Sequence, residues 1–319
     1  MCSQQVPCVR PRKLGFFTLF LLVCLLLLNA CGSARHTQVS AHSQSAISAM
    51  QLQEGQTQLK TFHQWITLMQ QFKGTTSPYQ QNYASDQRAL NTANNSSTYQ
   101  SALNTLAGHV KSIRIPALKT EAENLQQQLD TQVTAWSENH TYYDSYNNTT
   151  YRLAYEYGPD GMGGIISDEL SSAHTLADYQ QAIEDANNSL ASFQAYKTNL
   201  NDTTAWNQIH QSDLTLMQSH HFTHQKVIVV SLSEQAMRIY DGAQLVRAFY
   251  VTTGRPEKPS LPGNWEVENK QSPTVFKSDA PVGSTYWYPD TPIHYALLYH
   301  SGGYFIHDSW WRNDYGPDT

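Results

Sequence analysis

Up to about residue 219 the apolar positions recur at three- and four-residue steps, and beyond it they alternate or gather in short β-branched runs. Leu59, Phe62, Ile66 and Met69 make one helical stripe, the spacing of a single face of an α-helix. Tyr99, Leu103, Leu106, Val110 and Ile113 make a second, and Leu118, Ala122, Leu125, Leu129, Val133 and Trp136 a third. Pro116 suits the first turn of that third helix, where its missing N–H has no partner to lose. Tyr179, Ile183, Ala186, Leu190 and Phe193 repeat the rhythm of the second stripe, and Tyr-Gln-x-Ala opens both, at Tyr99 and at Tyr179. Two readings of that match stay open, a duplicated helical unit or a coincidence between two stripes of one bundle. Amphipathic helices become stable by burying such faces on each other, so residues 47–219 are expected to form an all-α bundle.

Within this region residues 139–164 are rich in tyrosine and end Gly158-Pro159-Asp160-Gly161-Met162-Gly163-Gly164, a run dense in backbone breakers. The tyrosines either pack a long inter-helix connection, the preferred reading, or form a platform for sugars. Residues 220–225 read as a linker. His220, His221 and His224 lie in it with no carboxylate beside them, so a solvated segment is favoured over a metal site. Lys226–Ser231 is then a β-branched strand. Met237 and Ile239 alternate with Arg238 and Tyr240 up to Asp241-Gly242, a tight-turn signal, and Leu245 to Val251 returns as the partner strand. Further strands are expected at Trp265–Val267, Tyr286–Tyr288, Ile293–Tyr299 and Tyr304–His307. The fold class predicted is therefore multidomain α and β, an N-terminal helical bundle followed by a mostly-β sandwich over residues 226–319.

A chain of 319 residues with 40% hydrophobic content can bury two such cores. The N-terminus opens with Arg10, Arg12 and Lys13, followed by an uncharged apolar stretch from Leu14 to Leu28. That stretch is short for a bilayer span and suited to the core of a signal peptide. It ends Leu28-Asn29-Ala30-Cys31, which resembles a bacterial lipobox. The resemblance implies cleavage of residues 1–30 and lipidation of Cys31, the alternative being an uncleaved anchor with an incidental cysteine; residues 31–46, rich in Ser, Gln, Ala and His, read as a flexible tether from the membrane. The other cysteines, Cys2, Cys8 and Cys24, would leave with the signal, so no free thiol is expected in the mature part of this sequence. The 20 basic groups less Arg10, Arg12 and Lys13 leave 17 against 26 acidic ones, a balance of −9 that gives no electrostatic case for nucleic acid.

Candidate chemistry gathers near the C-terminus, in Gly303-Tyr304-Phe305-Ile306-His307-Asp308-Ser309-Trp310-Trp311-Arg312. A histidine ending an apolar strand and followed by an acid and an aromatic-arginine cluster suits a general base at the mouth of a cleft. The run resembles the first half of the active-site signature of the L,D-transpeptidase (YkuD-like) family. In that family the second half is a Ser/Thr-His-Gly-Cys run with the nucleophile, and its place would come after Thr319. Other parts are similar too: the Val227-Ile228-Val229-Val230 strand, the Met237-to-Gly242 hairpin, Val251-Thr252-Thr253-Gly254, and Pro259-Ser260-Leu261-Pro262-Gly263-Asn264-Trp265. The last is like the family's Pro-Thr-Pro-Thr-Gly-x-Phe/Trp turn, with Leu261 in place of the second proline.

The resemblance implies acyl transfer between peptidoglycan stem peptides through a cysteine thioester, with His307 as the base that activates the thiol. Asp308 is the next position, where a side chain either orients the imidazole or accepts a substrate amine. A residue that follows a histidine on a strand points to the opposite face, so the backbone carbonyl of Asp308 counts beside its carboxylate. Trp311 and Arg312 read as an aromatic wall and a carboxylate-binding guanidinium, or as a plug for the end of the sandwich. Tyr286, Tyr288 and Tyr299 either line the cleft or pack half-buried strands. His294, His300 and His307 are not spaced to converge on zinc, and neither a metal nor another cofactor enters this reading. A non-catalytic peptidoglycan-binding lipoprotein is the alternative.

Overall fold

Ser48 closes the first helix, α1 (Ala49–Gln71), with a reciprocal cap: its side chain accepts from the N–H of Gln51, and the Gln51 side chain accepts from the N–H of Ser48. In this computed structural model residues 45–144 and 148–317 are described. The candidate signal at 1–30, Cys31 and nearly all of the candidate tether lie outside the described residues. Phe62, Ile66 and Met69 of the α1 stripe are buried as its spacing predicts. After α2 (Ser77–Thr92), helix α3 runs as a single element from Ser96 to Ser137, 42 residues, where the sequence predicts two helices divided near Pro116. A proline inside a helix removes one hydrogen bond and crowds the carbonyl four residues back, at a cost of about 3 kcal/mol. Packing on both sides of it offsets that cost. Ile113 and Ala117 are buried with Phe62 and Ile66 of α1, and Leu118 and Ala122 with Tyr179 and Ala182 of α5 (Leu176–Leu200).

The helix pairs α2–α3 and α4–α5, where α4 is Met162–Ser172, are joined by the same turn. Ala93 and Ala173 leave the preceding helices at φ −64°, ψ 128° and φ −70°, ψ 129°. Asn95 with Thr98, and Thr175 with Asp178, then form matching capping boxes, each followed directly by the buried tyrosine of the stripe, Tyr99 or Tyr179.

The tyrosine-rich connection contains an antiparallel hairpin that the sequence reading takes as loop, β1 (Thr141–Asp144) and β2 (Thr149–Arg152). Packing accounts for only some of its tyrosines. Tyr157 is buried, whereas Tyr142 and Tyr143 are 41% and 56% exposed, because alternate residues of a two-stranded hairpin have too little neighbouring surface to cover both faces. Glu156, between them and α4, is 3% exposed, and its Oε2 has no hydrogen-bond partner among the described residues.

A short helix α6 (Gln211–Ser219) leads into the β-rich region. Strands β3 (Lys226–Ser231), β4 (Ala236–Asp241) and β5 (Gln244–Tyr250) form one antiparallel sheet, turning at Gly242 with φ +62°. The later strands are β6 (Asn269–Gln271), β7 (Thr274–Phe276), β8 (Thr291–Ile293), β9 (Ala296–His300) and β10 (Tyr304–His307). They make a β10-β9-β6 sheet and a β7-β8 pair, so the β part is a set of small sheets. Two expected strands are absent. Trp265–Val267 is irregular because Gly263, at φ +140°, lets the indole fold back and donate from Nε1 to Leu261 O at 3.1 Å. Tyr286–Tyr288 lies in successive turns, with Ser284 N–H on Pro281 O and Trp287 N–H on Ser284 O.

The alternation on β4 is inverted relative to its hydrophobicity, since Arg238 and Tyr240 are fully buried while Met237 and Ile239 are half-buried. Arg238 donates from Nε to Asp213 Oδ2 at 2.6 Å and from Nη2 to Asp213 Oδ1 at 3.1 Å, and from Nη1 to Glu234 and to Trp206 O. Tyr240 Oη donates to Asp213 Oδ2 at 2.7 Å. Burial alone lowers the guanidinium pKa, but the bonds and charges of Asp213 and then Glu234 outweigh it and raise it. His210 is also fully buried, its ring nitrogens 3.2 Å from Asp202 and 3.4 Å from Glu234.

Two outcomes follow from these buried groups. Asp213→Ala takes the two-toothed partner from a buried guanidinium, leaving it Glu234 and Trp206 O, and should cost about 3 kcal/mol in urea unfolding; a loss below about 1 kcal/mol would show that the pair does not hold α6 to β4. Burial pushes the Glu156 carboxyl up from 4.5 to about 7. Its contribution is therefore complete below pH 4.5 and is lost as pH rises through 7, by roughly 3 kcal/mol in total. Unfolding midpoints of wild type and Glu156→Gln should diverge between about pH 4 and about pH 8, with the wild type losing ground. Parallel pH profiles would refute the assignment.

Candidate active site

His307 ends β10, opposite Ala296 on β9, where the short strand stops and the ring emerges into solvent. Its Nδ1 lies 2.8 Å from the backbone oxygen of Asp308. A carbonyl only accepts, so Nδ1 carries the proton and the neutral ring presents a lone pair at Nε2. Among the described residues Nε2 has no hydrogen-bond partner. The ring lies against Phe276 of β7, centroids 5.1 Å apart and nearly perpendicular, and against Trp311 at 5.9 Å. This is an exposed imidazole with a fixed tautomer and an aromatic wall, able to take a proton from a group brought to Nε2.

The Asp308 carboxylate faces away from His307. Its Oδ2 accepts from His294 Nδ1 at 2.9 Å and its Oδ1 from the N–H of Tyr295 at 2.7 Å, and the Asp308 N–H donates back to Tyr295 O. Loss of solvent pushes its pKa up, and the Tyr295 N–H and His294 together more than reverse this, leaving it below the ordinary aspartate value. The side chain thus fastens the end of β10 to the corner before β9, and the backbone oxygen orients the imidazole.

Trp311 packs edge-on against Trp310 at 5.7 Å; both are more than half exposed. Trp310 donates from Nε1 to Pro292 O, which anchors the pair over β8. Arg312 is half-buried, and its guanidinium has no ion-pair partner among the described residues. The three tyrosines separate. Tyr299 packs on Trp265 and Tyr304, at the end of the β9–β10 pair away from His307. Tyr288 donates to Lys277 O, next to Phe276, and Tyr286 lies under Arg255 and Lys258. His300 is in the Trp265–Tyr304 cluster and His294 on Asp308, so the three upstream and site histidines do not meet. Among the described residues no group of three His, Cys, Asp or Glu side chains is arranged to hold a metal ion.

Phe276 is the member that sequence reasoning missed, and His294 entered it only as a zinc candidate, without its bond to Asp308. Nothing local marks Phe276, and His294 reaches Asp308 across 14 residues only through the turn between β8 and β9.

Residues 225–319 match the model of the YkuD family, the L,D-transpeptidase catalytic domain. Among solved structures, a mutant of the Enterococcus faecium L,D-transpeptidase is similar at 28% identity and a TM-score of 0.27, over 30% of this chain. The chain spans 36% of that protein's length. No curated protein matches.

The orientation of His307 has a direct spectroscopic consequence. In nitrogen-15 spectra its neutral ring should show a protonated Nδ1 and an unprotonated Nε2, and Asp308→Asn, which keeps the backbone oxygen and an acceptor for the Tyr295 N–H, should preserve that tautomer. An Nε2–H tautomer in the wild type would contradict the geometry.

Proposed function

We propose that the β-rich region acts on peptidoglycan stem peptides as an L,D-transpeptidase, by acyl transfer through a cysteine thioester in cell-wall biogenesis. The observation that carries the reading is His307, whose Nε2 is open beside Trp311 and Phe276 within the segment that matches the family. In this mechanism Nε2 takes the thiol proton, the thiolate attacks a stem-peptide carbonyl, and the imidazolium returns the proton to the leaving amine. Trp311 forms the wall of the cleft, and the Arg312 guanidinium meets a stem carboxylate. Tyr286 and Tyr288 line a more distant stretch, and Tyr299 supports the sheet. The reaction calls for no cofactor.

A second reading, a peptidoglycan-binding lipoprotein without turnover, is favoured by one fact: the four cysteines are Cys2, Cys8, Cys24 and Cys31, none of them in residues 225–319. In both readings Cys31 is lipidated and the protein faces the wall from the outer side of the cell membrane. The helical region then serves as the spacer, for α3 alone, with 42 residues, is about 60 Å long at 1.5 Å per residue.

The test compares the polypeptide ending at Thr319 with one extended through any in-frame Ser/Thr-His-Gly-Cys run. Both should bind a tetrapeptide stem, and Trp311→Ala or Arg312→Ala should weaken binding about tenfold. Only the extended protein should form a covalent mass adduct, and His307→Ala should slow its formation by about a hundredfold or more. Turnover by the shorter polypeptide would overturn the thiol mechanism. If neither version binds the stem, the site assignment fails.

A further inference from the structure

The hairpin β1–β2 does not stand clear of the β region. Tyr155, just after it, donates from Oη to Gly254 O at 2.8 Å, and this bond sets the hairpin beside the loop that follows β5. Between them is a recess of about 380 Å³ lined by Asp144, Thr149, Tyr151, Arg255, Pro256 and Glu257. The register pairs Tyr142 with Tyr151 and Asp144 with Thr149, so these four share the face of the hairpin turned to the recess. The loop wall is held in shape by the Lys258 N–H on Arg255 O and the Gly254 N–H on Ser260 Oγ.

The lining combines one aromatic ring, hydroxyl groups, two carboxylates and a guanidinium. A charged peptide terminus is best met by groups of one sign. An uncharged polyhydroxyl ligand is best met by donors and acceptors interleaved around a ring that covers its C–H face, as here. Arg255, on the loop side of the recess, also packs on Tyr286. Its guanidinium carbon is 5.4 Å from the centre of the Tyr286 ring, which Lys258 flanks at 5.8 Å. Tyr288 then donates to Lys277 O beside Phe276, whose ring touches His307.

We propose that this recess is a carbohydrate subsite that holds a strand of N-acetylated hexose polymer, with Tyr151 stacking on a sugar ring and Asp144, Arg255 and Glu257 bonding its hydroxyl and amide groups. The proposal rests on the reading that the chain works on peptidoglycan, whose glycan carries the stem peptides; seating the glycan here directs a stem along Tyr286 and Tyr288 toward His307.

The probe is tetra-N-acetylchitotetraose, titrated into the full chain by calorimetry. Saturable binding is expected, weakened about tenfold or more by Arg255→Ala and by Tyr151→Ala and unchanged by His307→Ala. Arg255 and Glu257 are about half exposed, so if Tyr151→Ala fails to fold, Arg255→Ala and Glu257→Ala carry the test. Absence of saturable binding, or variants that bind as the wild type does, overturns the proposal. Displacement of the sugar by a free tetrapeptide stem in the His307→Ala variant also overturns it, because the occupant would then be peptide. If sugar binding fails while stem-peptide binding through Trp311 and Arg312 persists, only this subsite falls. Loss of both removes the proposed function as well.

Discussion

Arg238 has no exposed surface, and a guanidinium so placed is tolerable only where its donors find acceptors. Asp213 on α6, Glu234 at the start of the β4 hairpin and the backbone oxygen of Trp206 supply them. Sliding α6 along β4 by one turn would leave the Asp213 carboxylate unpaired in the interior and take from Arg238 its two-toothed partner. The β3–β4–β5 sheet therefore has one position against the helical region. What hangs from that sheet follows: the loop after β5 reaches Tyr155, and the N–H of Gly316 donates to Val251 O near the other end of the family-matched segment.

The same economy of side chains appears at the candidate active site. An imidazole that must present Nε2 needs its other nitrogen satisfied, and a carboxylate is the familiar partner. Here a backbone oxygen fills that position, so the orientation depends on where β10 ends. The carboxylate of Asp308 is then available to bind His294 and the Tyr295 N–H, which fixes that ending. Orientation of the imidazole thus comes from a corner of the sheet, and the ring packs against Phe276 and Trp311.

In the helical region α3 is the spine, packing on α1, α4 and α5 along its length. The matching caps at Asn95 and Thr175 let two helix pairs turn in the same way, and the chain between the pairs contains the hairpin that meets the loop after β5. A duplicated unit and a pair of similar solutions to the same packing problem both produce such caps. Either way the consequence is geometric, since a connection of that length leaves the bundle with tyrosines on both of its faces.

Periodicity alone located the helical stripes, the β3–β4–β5 run and the strand ending in His307, because burial of one face repeats at the period of the element that makes it. It failed at Pro116, where propensity favours a break and the buried Ile113, Ala117 and Leu118 override it, at Trp265–Val267, where the indole folds back onto its own turn, and at Tyr286–Tyr288, where the backbone closes successive turns. Arg238 was legible as a charged residue on a strand; that it points inward depends on Asp213, 25 residues earlier, and no local pattern encodes such a pairing. The chain by itself determined the succession of a helical and a β-rich region, the candidate base and the chemistry of the residues around it. Which side chains meet was decided only by tertiary structure: the carbonyl under His307, the partner of Asp308 and the recess beside Tyr151 each join segments brought together by closing a core, and a contact across a core has no period to read.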